Sequence, residues 1–378
     1  MRPTTVRSAI GVVLSIAAAA VVLPASAADA ATRPATVDKA TAASFGHATD
    51  LVLARRTAAL LDGAAAKRAV PSADRTVHLS AGVTRTENSG LSALRARKQR
   101  LAALGEAYTA GDTRVAVDQV QVKGKKATVR VTETTTLTYK KIHGDEPAGT
   151  GFKARHQVSF TATGHGKWEL TGIKSADDGA VAVNAPAVPK VPARQSLGPT
   201  PAAKPADTSW PDRLIPKRQT RSGYNYAAMA AYAEKYWRNY NPAYRQFNEE
   251  GGDCTNFISQ ALKAGGWKPV SGAAADYRTW WYTSSSQSHS WVGANEWSWY
   301  AQNSKRVTML PNVFQLEIGD ILQMDFDGDG SKDHSMITTY KSRMGIPYLT
   351  YHSTNTYRKS LLSILASYPD AVYYAYRT

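Results

Sequence analysis

Between Val181 and Ser222 the chain changes character. Alanine and proline dominate, as in Ala185-Pro186-Ala187-Val188-Pro189 and Pro199-Thr200-Pro201-Ala202-Ala203-Lys204-Pro205. Such a stretch is extended and semi-rigid, and it lacks the apolar periodicity that builds a core. It divides the 378 residues into two blocks, 31–180 and 223–378, each of which is expected to fold around its own core. The linker ends in Lys217-Arg218-Gln219-Thr220-Arg221, an exposed basic stretch that offers an extracellular protease a cutting site.

The first thirty residues stand apart from both blocks. A short positive region, Met1 to Arg7, precedes an apolar run from about Ala9 to Leu23 and then the small residues Pro24 to Ala31. That order is the pattern of a secretory signal peptide, with cleavage after Ala27 or Ala30. No later run reaches the ~18 apolar residues of a membrane helix. The expected product is secreted, without a transmembrane segment, in solution or on the cell wall, and monomeric. Its formal charge is +16, and residues 210–378 hold 18 Lys+Arg against 14 Asp+Glu, so most of the surplus lies in the front half. Outside a cell, a basic surface attracts anionic wall polymers rather than nucleic acid.

In the front block, helical apolar spacing over about Ala42 to Leu61 and Leu91 to Tyr108 gives way to a period of two. Val115, Val117 and Val120 lead through Lys123-Gly124-Lys125-Lys126 to Val129 and Val131, and His156 to Thr163 and Trp168 to Ile173 follow. Helices followed by an antiparallel meander predict a small α+β unit. It resembles the cone-like nuclear-transport-factor-2 or cystatin-like shape, without a motif. His156 and His165 have no evident partner in the pattern and are read as structural.

The back block carries the chemistry. Its one cysteine, Cys254, is the only one in the chain and opens an expected helix, Asp253-Cys254-Thr255-Asn256-Phe257, that ends at Gly265-Gly266. Exported proteins use cysteines chiefly in pairs, so a single one is either a small buried hydrophobe or a reactive thiol. A helix start favours the second reading, because free amides and the helix dipole stabilise a thiolate. Asp253 reads as the helix cap. Alternation then places strands at Ile318 to Phe326, His334 to Tyr340, Pro347 to His352 and Ala371 to Tyr376. Cysteine at a helix start facing histidines on an antiparallel sheet is the papain-type arrangement.

The box Asp253-Cys254-Thr255-Asn256-Phe257, Asn241-Pro242 before it, the Asp-rich turn, the strand-opening His334-Ser335 and the strand-ending His352 resemble the amidase domain family of secreted bacterial proteins. That family lies within the NlpC/P60–CHAP superfamily of cysteine amidases and peptidases, and the match covers about Tyr224 to Tyr376. The resemblance implies Cys254 as nucleophile and His334 as general base and acid. His352 is the polar group that orients the imidazole, with Asn355 as the alternative. It also implies hydrolysis of an amide bond, in peptidoglycan peptides, through a thioester and with no required cofactor. Tyr244 and Asn256 are candidates for the oxyanion site, and Trp280 and Trp281 for substrate contact. Transfer of the acyl group to an amine, or a catalytically silent wall-binding role, are the rival readings.

Asp325, Asp327 and Asp329 alternate before Gly330, with Asp333 further on, so oxygen ligands fall at calcium-loop spacing. Position twelve is Met336 where an EF-hand needs a bidentate Glu, which excludes that motif. A looser calcium site and a plain acidic turn both stay open. Gly-x-Ser-x-Gly and His-Glu-x-x-His are absent, and one cysteine cannot build a structural zinc site.

Overall fold

The computed structural model describes residues 37–63, 77–177, 179–186, 202–212, 223–248 and 253–378. The expected signal peptide, the basic stretch 217–221 and most of the linker lie outside these residues. Seven helices are described: α1 (Lys39–Ala58), α2 (Ala81–Ala103), α3 (Tyr226–Tyr236), α4 (Cys254–Ala264), α5 (His289–Val292), α6 (Ala294–Asn303) and α7 (Leu361–Ser367). The strands are β1 (Val77–Leu79), β2 (Tyr108–Lys123), β3 (Lys126–Tyr139), β4 (Gly149–Gly164), β5 (Lys167–Ser175), β6 (Thr308–Leu310), β7 (Ile321–Asp325), β8 (His334–Lys341), β9 (Pro347–Tyr351), β10 (Asn355–Ser360) and β11 (Val372–Arg377). Among the described residues no helix is long and apolar enough to cross a membrane.

Local chemistry sets the front elements. Asp38 caps α1 by accepting from the Thr41 amide at 2.9 Å, and Ser80 caps α2 by accepting from the Val83 amide at 3.2 Å. The β2–β3 hairpin closes through Gly124-Lys125, flanked by the pair Lys123 and Lys126. Gly124 has φ +58°, which a glycine adopts without a Cβ clash. Alternating residues of β3, β4 and β5, among them Val129, Val131, Val158, Phe160 and Leu170, bury against Phe45 and Val52 of α1.

The α+β expectation holds, with a mixed sheet: β1 and β5 are parallel and the other strand pairs antiparallel. The sheet crosses the boundary between the two expected blocks. β4 is long enough to pair β5 along its second half and β10 at its start, where Asn355 lies opposite Lys153. One sheet therefore runs β1-β5-β4-β10-β9-β8-β7-β11-β6, with β2–β3 added beside β4. The cores merge as well. Leu94, Leu101, Tyr108 and Tyr139 from the front share one cluster with Met324, Met336, Tyr351 and Tyr373 from the back. The Tyr108 hydroxyl lies 2.7 Å from that of Ser363.

The expected second helix starts ten residues earlier than its apolar spacing indicates, and Tyr108 opens β2 instead of closing that helix. The first stretch assigned to the linker is also not exposed chain, because Val181, Ala182 and Val183 are buried. Further on, the Ala206 amide donates to the Tyr373 carbonyl at 2.8 Å. Backbone hydrogen bonding and small-residue packing hold these pieces, and neither leaves a periodic trace in sequence.

Candidate active site

Helix α4 begins at Cys254 and presents Phe257, Ile258, Ala261 and Leu262, all fully buried, to Ile321 and Ile337 of the sheet and to Trp291 and Trp297. The register of this packing is fixed by a polar tie. The Thr255 and Ser335 hydroxyls are 2.9 Å apart, and Gln323 Nε2 donates to Ser335 at 3.0 Å. Cys254 and His334 each immediately precede one member of the Thr255–Ser335 pair. The tie therefore brings the start of α4 and the start of β8 together. Cys254 is buried, with Sγ 3.7 Å from Thr255 Oγ1.

His334 opens β8 with its side chain on the face opposite Ser335, as strand alternation requires. Its ring stands edge-on to Tyr351, centroids 5.0 Å apart, and it is fully buried with neither ring nitrogen hydrogen-bonded. Burial, reinforced by the Lys359 ammonium, pushes its pKa down to about 3. The imidazole is thus neutral with both nitrogens unused, and in this buried setting it is a weak base.

His352 does not orient His334, contrary to the sequence expectation. Its Nδ1 bonds Asp253 Oδ2 at 2.7 Å, its Nε2 bonds the Tyr236 carbonyl at 2.9 Å, and its ring stacks on Phe257. Both nitrogens are engaged, and neither by His334. Asn355, the alternative, accepts instead from the Tyr240 hydroxyl at 3.1 Å. Asp253 is correspondingly more than a cap. Its side chain makes no capping bond; it accepts from the Phe247 amide at 3.0 Å and from Asn256 Nδ2 at 2.8 Å while holding His352. This carboxylate braces the residue next to the cysteine, a role that Asp before Cys does not announce in sequence.

Other candidates are placed differently from expectation. Both ends of the Asn256 amide are engaged: Nδ2 donates to Arg245 O and Asp253, and Oδ1 accepts from Trp291 Nε1. Trp280 is fully buried, its Nε1 on Ser259 Oγ at 3.1 Å, and belongs to the core. Trp281 is half-buried and donates to the Gly272 carbonyl. Tyr244 packs in an aromatic group with Tyr282 and Trp291. A cavity of about 340 Å³ opens beside Tyr240 and Asn355, where Lys153, Arg155 and Arg238 face a single carboxylate, Asp177.

Sequence reasoning missed the turn between β9 and β10. Ser353 and Thr354 both adopt positive φ, +63° and +61°, a conformation that costs a β-branched residue such as threonine about 1–3 kcal/mol. The turn serves the site: Ser353 Oγ accepts from the Asp253 amide at 3.3 Å. In the acidic turn, the three residues whose oxygens converge within 4.8 Å are Asp325, Asp327 and Asp333, so Asp333 replaces the expected Asp329. Asp325 accepts from the amides of Gly328 and Gly330, and Asp333 from that of Phe326, so the backbone itself closes the turn.

Residues 223–376, the stretch holding this geometry, match the family described as "Putative amidase domain", a description that suggests an amidase-type function for them. Two relatives from Bacillus subtilis (strain 168) are similar over part of the chain. Uncharacterized protein YhbB is 38% identical over 140 residues, 35% of this chain and 44% of its own length. Uncharacterized protein YjcM is 32% identical over 149 residues, 35% of this chain and 32% of its own length. The chain thus spans less than half the length of either relative. Among solved structures, the Kfla4162 protein from Kribbella flavida aligns at 18% identity over 35% of this chain and 90% of that one, with a TM-score of 0.21.

Proposed function

We propose that residues 223–378 form a papain-like cysteine amidase of the NlpC/P60 type, with Cys254 as nucleophile and His334 as general base and acid. The observation that carries the reading is the Thr255–Ser335 tie. It supports the reading by drawing the start of α4, which carries Cys254, to the start of β8, which carries His334 with two unbonded ring nitrogens. Free amides at the start of α4 stabilise negative charge on sulfur. In the reaction, His334 takes the thiol proton as sulfur bonds the substrate carbonyl carbon. The same proton then goes to the amine as the carbon–nitrogen bond breaks, leaving a thioester. Water activated by His334 hydrolyses the thioester and restores the thiol.

Asp253 and His352 act through position, bracing the start of α4. The cationic cavity at Lys153, Arg155 and Arg238 suits substrates that carry free carboxylates. Together with the signal-like first thirty residues, it favours peptide linkages of peptidoglycan acted on outside the cell. The test is digestion of purified wall fragments with mass analysis of the products. New termini at a defined amide bond are expected from the wild type and none from Cys254→Ala. Equal cleavage by Cys254→Ala would refute the assignment.

A further inference from the structure

The chain does not leave the front of the sheet as free linker. After β5 it turns back across the candidate site. A Cβ placed on Gly179 (φ +84°) would lie 3.5 Å from His334 Nδ1 and 3.7 Å from Ser353 Cβ, so the backbone passes beside this ring nitrogen. From there Ala180, Val181, Val183, Asn184 and Ala185 are each anchored by a backbone or side-chain hydrogen bond. Thr354 Oγ1 donates to Ala180 O at 2.7 Å. The Tyr368 hydroxyl accepts from the Val181 amide at 2.8 Å and donates to the Val181 carbonyl at 3.1 Å. Arg97 Nη1 donates to the carbonyls of Val183 and Ala185. Asn184 Nδ2 reaches the fully buried Glu133 at 2.7 Å, where His156 bonds the same carboxylate at 2.8 Å.

We propose that residues 179–186 are a built-in strap that holds the amidase site closed, and that the chain is latent until the strap lifts. The proposal rests on the Cys254–His334 reading above. Three features support it. First, a substrate carbonyl cannot reach His334 Nδ1 while Gly179 stands against it. Second, His334 beneath the strap is too desolvated to carry the proton it must hold in the reaction; only an opened site lets water and substrate dipoles stabilise the imidazolium. Third, the strap is built to be removable. Its side chains are small: Ala180 to Val183 lie in the shared core but each buries little apolar area, and the rest of the hold is hydrogen bonds to Arg97, Tyr368, Thr354 and Glu133. A cavity of about 410 Å³ lies beside Val181, Ala182 and Pro186. A segment of small side chains opens locally at less cost than unfolding the whole.

This also gives the buried network of the front block a purpose. Glu133, His156 and Arg97 lie far in sequence from the cysteine, yet they hold the segment that covers its partner. The front block is then the keeper of the catalytic block.

The test uses the full chain, in which Cys254 is the sole cysteine, so iodoacetamide labelling reports on one site. Arg97→Met and Tyr368→Phe each remove two hydrogen bonds to the strap and touch neither Cys254 nor His334. Each is expected to raise the Cys254 labelling rate by about ten-fold or more, the effect of two lost hydrogen bonds on the open population. His334→Asn is measured in all three backgrounds and is expected to lower labelling in each. Labelling through global unfolding would ignore His334. Unchanged labelling in Arg97→Met and Tyr368→Phe, with His334→Asn still lowering it, overturns the strap alone. A rise that persists in full with His334→Asn also overturns it, because the variants would then act by unfolding. No effect of His334→Asn in the wild-type background overturns the catalytic reading on which the strap depends.

Discussion

Lys359 offers a test of the merged core that needs no substrate. It lies on β10, the strand that joins the two halves of the sheet, and its side chain is almost wholly inaccessible to solvent. The ammonium has one long hydrogen bond, 3.5 Å to Ser367 Oγ, and faces the Tyr368 ring at 5.8 Å. Burial and then the nearby Arg97 push its pKa down to about 7, with Glu106 opposing. The folded value lies below the unfolded one, so across the slightly alkaline range the unfolded chain binds more protons. Stability carried by this group is present above about pH 10.4 and is lost as pH falls toward about 7. Buried tyrosines titrate higher up, which confines the clean window to about pH 7 to 9. Integrating one proton over that window gives about 2 kcal/mol of stability gained by the wild type, or ~4 °C in melting temperature. Lys359→Met removes the charge and keeps an unbranched chain of similar length. The variant should melt above the wild type at pH 7, and its lead should shrink by about 2 kcal/mol at pH 9. Parallel melting curves for the two proteins across this range would refute the claim that Lys359 is desolvated, and with it the continuity of the core at β10.

Three further outcomes follow from the site. Trp280→Ala should cost about 3–5 kcal/mol, as expected for a buried aromatic, whereas Trp281→Ala should cost under about 1 kcal/mol; equal losses in chemical denaturation would contradict their placement. Asp253→Ala leaves the buried His352 without its acceptor and should destabilise by about 1–3 kcal/mol. Its effect on amide cleavage should fall on kcat, while full activity in a folded variant would remove Asp253 from the bracing role. Excess EGTA should leave the melting temperature and Cys254 labelling unchanged, because backbone amides already hold the turn at Asp325 and Asp333; a fall of several degrees would assign a structural cation there.

Much of the back block was legible because its chemistry is local. Cys254 at a helix start, Gly265-Gly266 at its end and His334 at the head of an alternating run are short-range patterns, and they appear as α4 and β8. The strand β10 was not legible. Asn355 to Ser360 holds Arg and Lys and no alternation, and it becomes a strand because β9 pairs it on one side and the long β4 on the other. The third site position failed for a related reason. A histidine at a strand end has two ring nitrogens, and which acceptors they meet depends on α3 and the residue before α4. Those contacts span 116 and 99 residues of sequence for Tyr236 and Asp253.

The misreading of the first linker residues is the most instructive, because composition pointed the wrong way for a physical reason. Alanine, valine and glycine carry little side-chain signal, so a segment built from them looks like spacer. The same smallness lets a backbone lie against an imidazole: at Gly179 the positive φ favours glycine, and a Cβ there would already be in contact with His334 Nδ1. The polar signal of the strap sits elsewhere, in Asn184, Glu133 and Arg97, residues that look unremarkable until the fold brings them together. Gly179, two residues before the expected linker, separates a strap from an exposed spacer in the segment that follows it. An exposed spacer would accept Gly179→Val without effect. A strap pressed on His334 would be strained by it at the backbone, and the change should lift the segment and accelerate Cys254 labelling in a His334-dependent way.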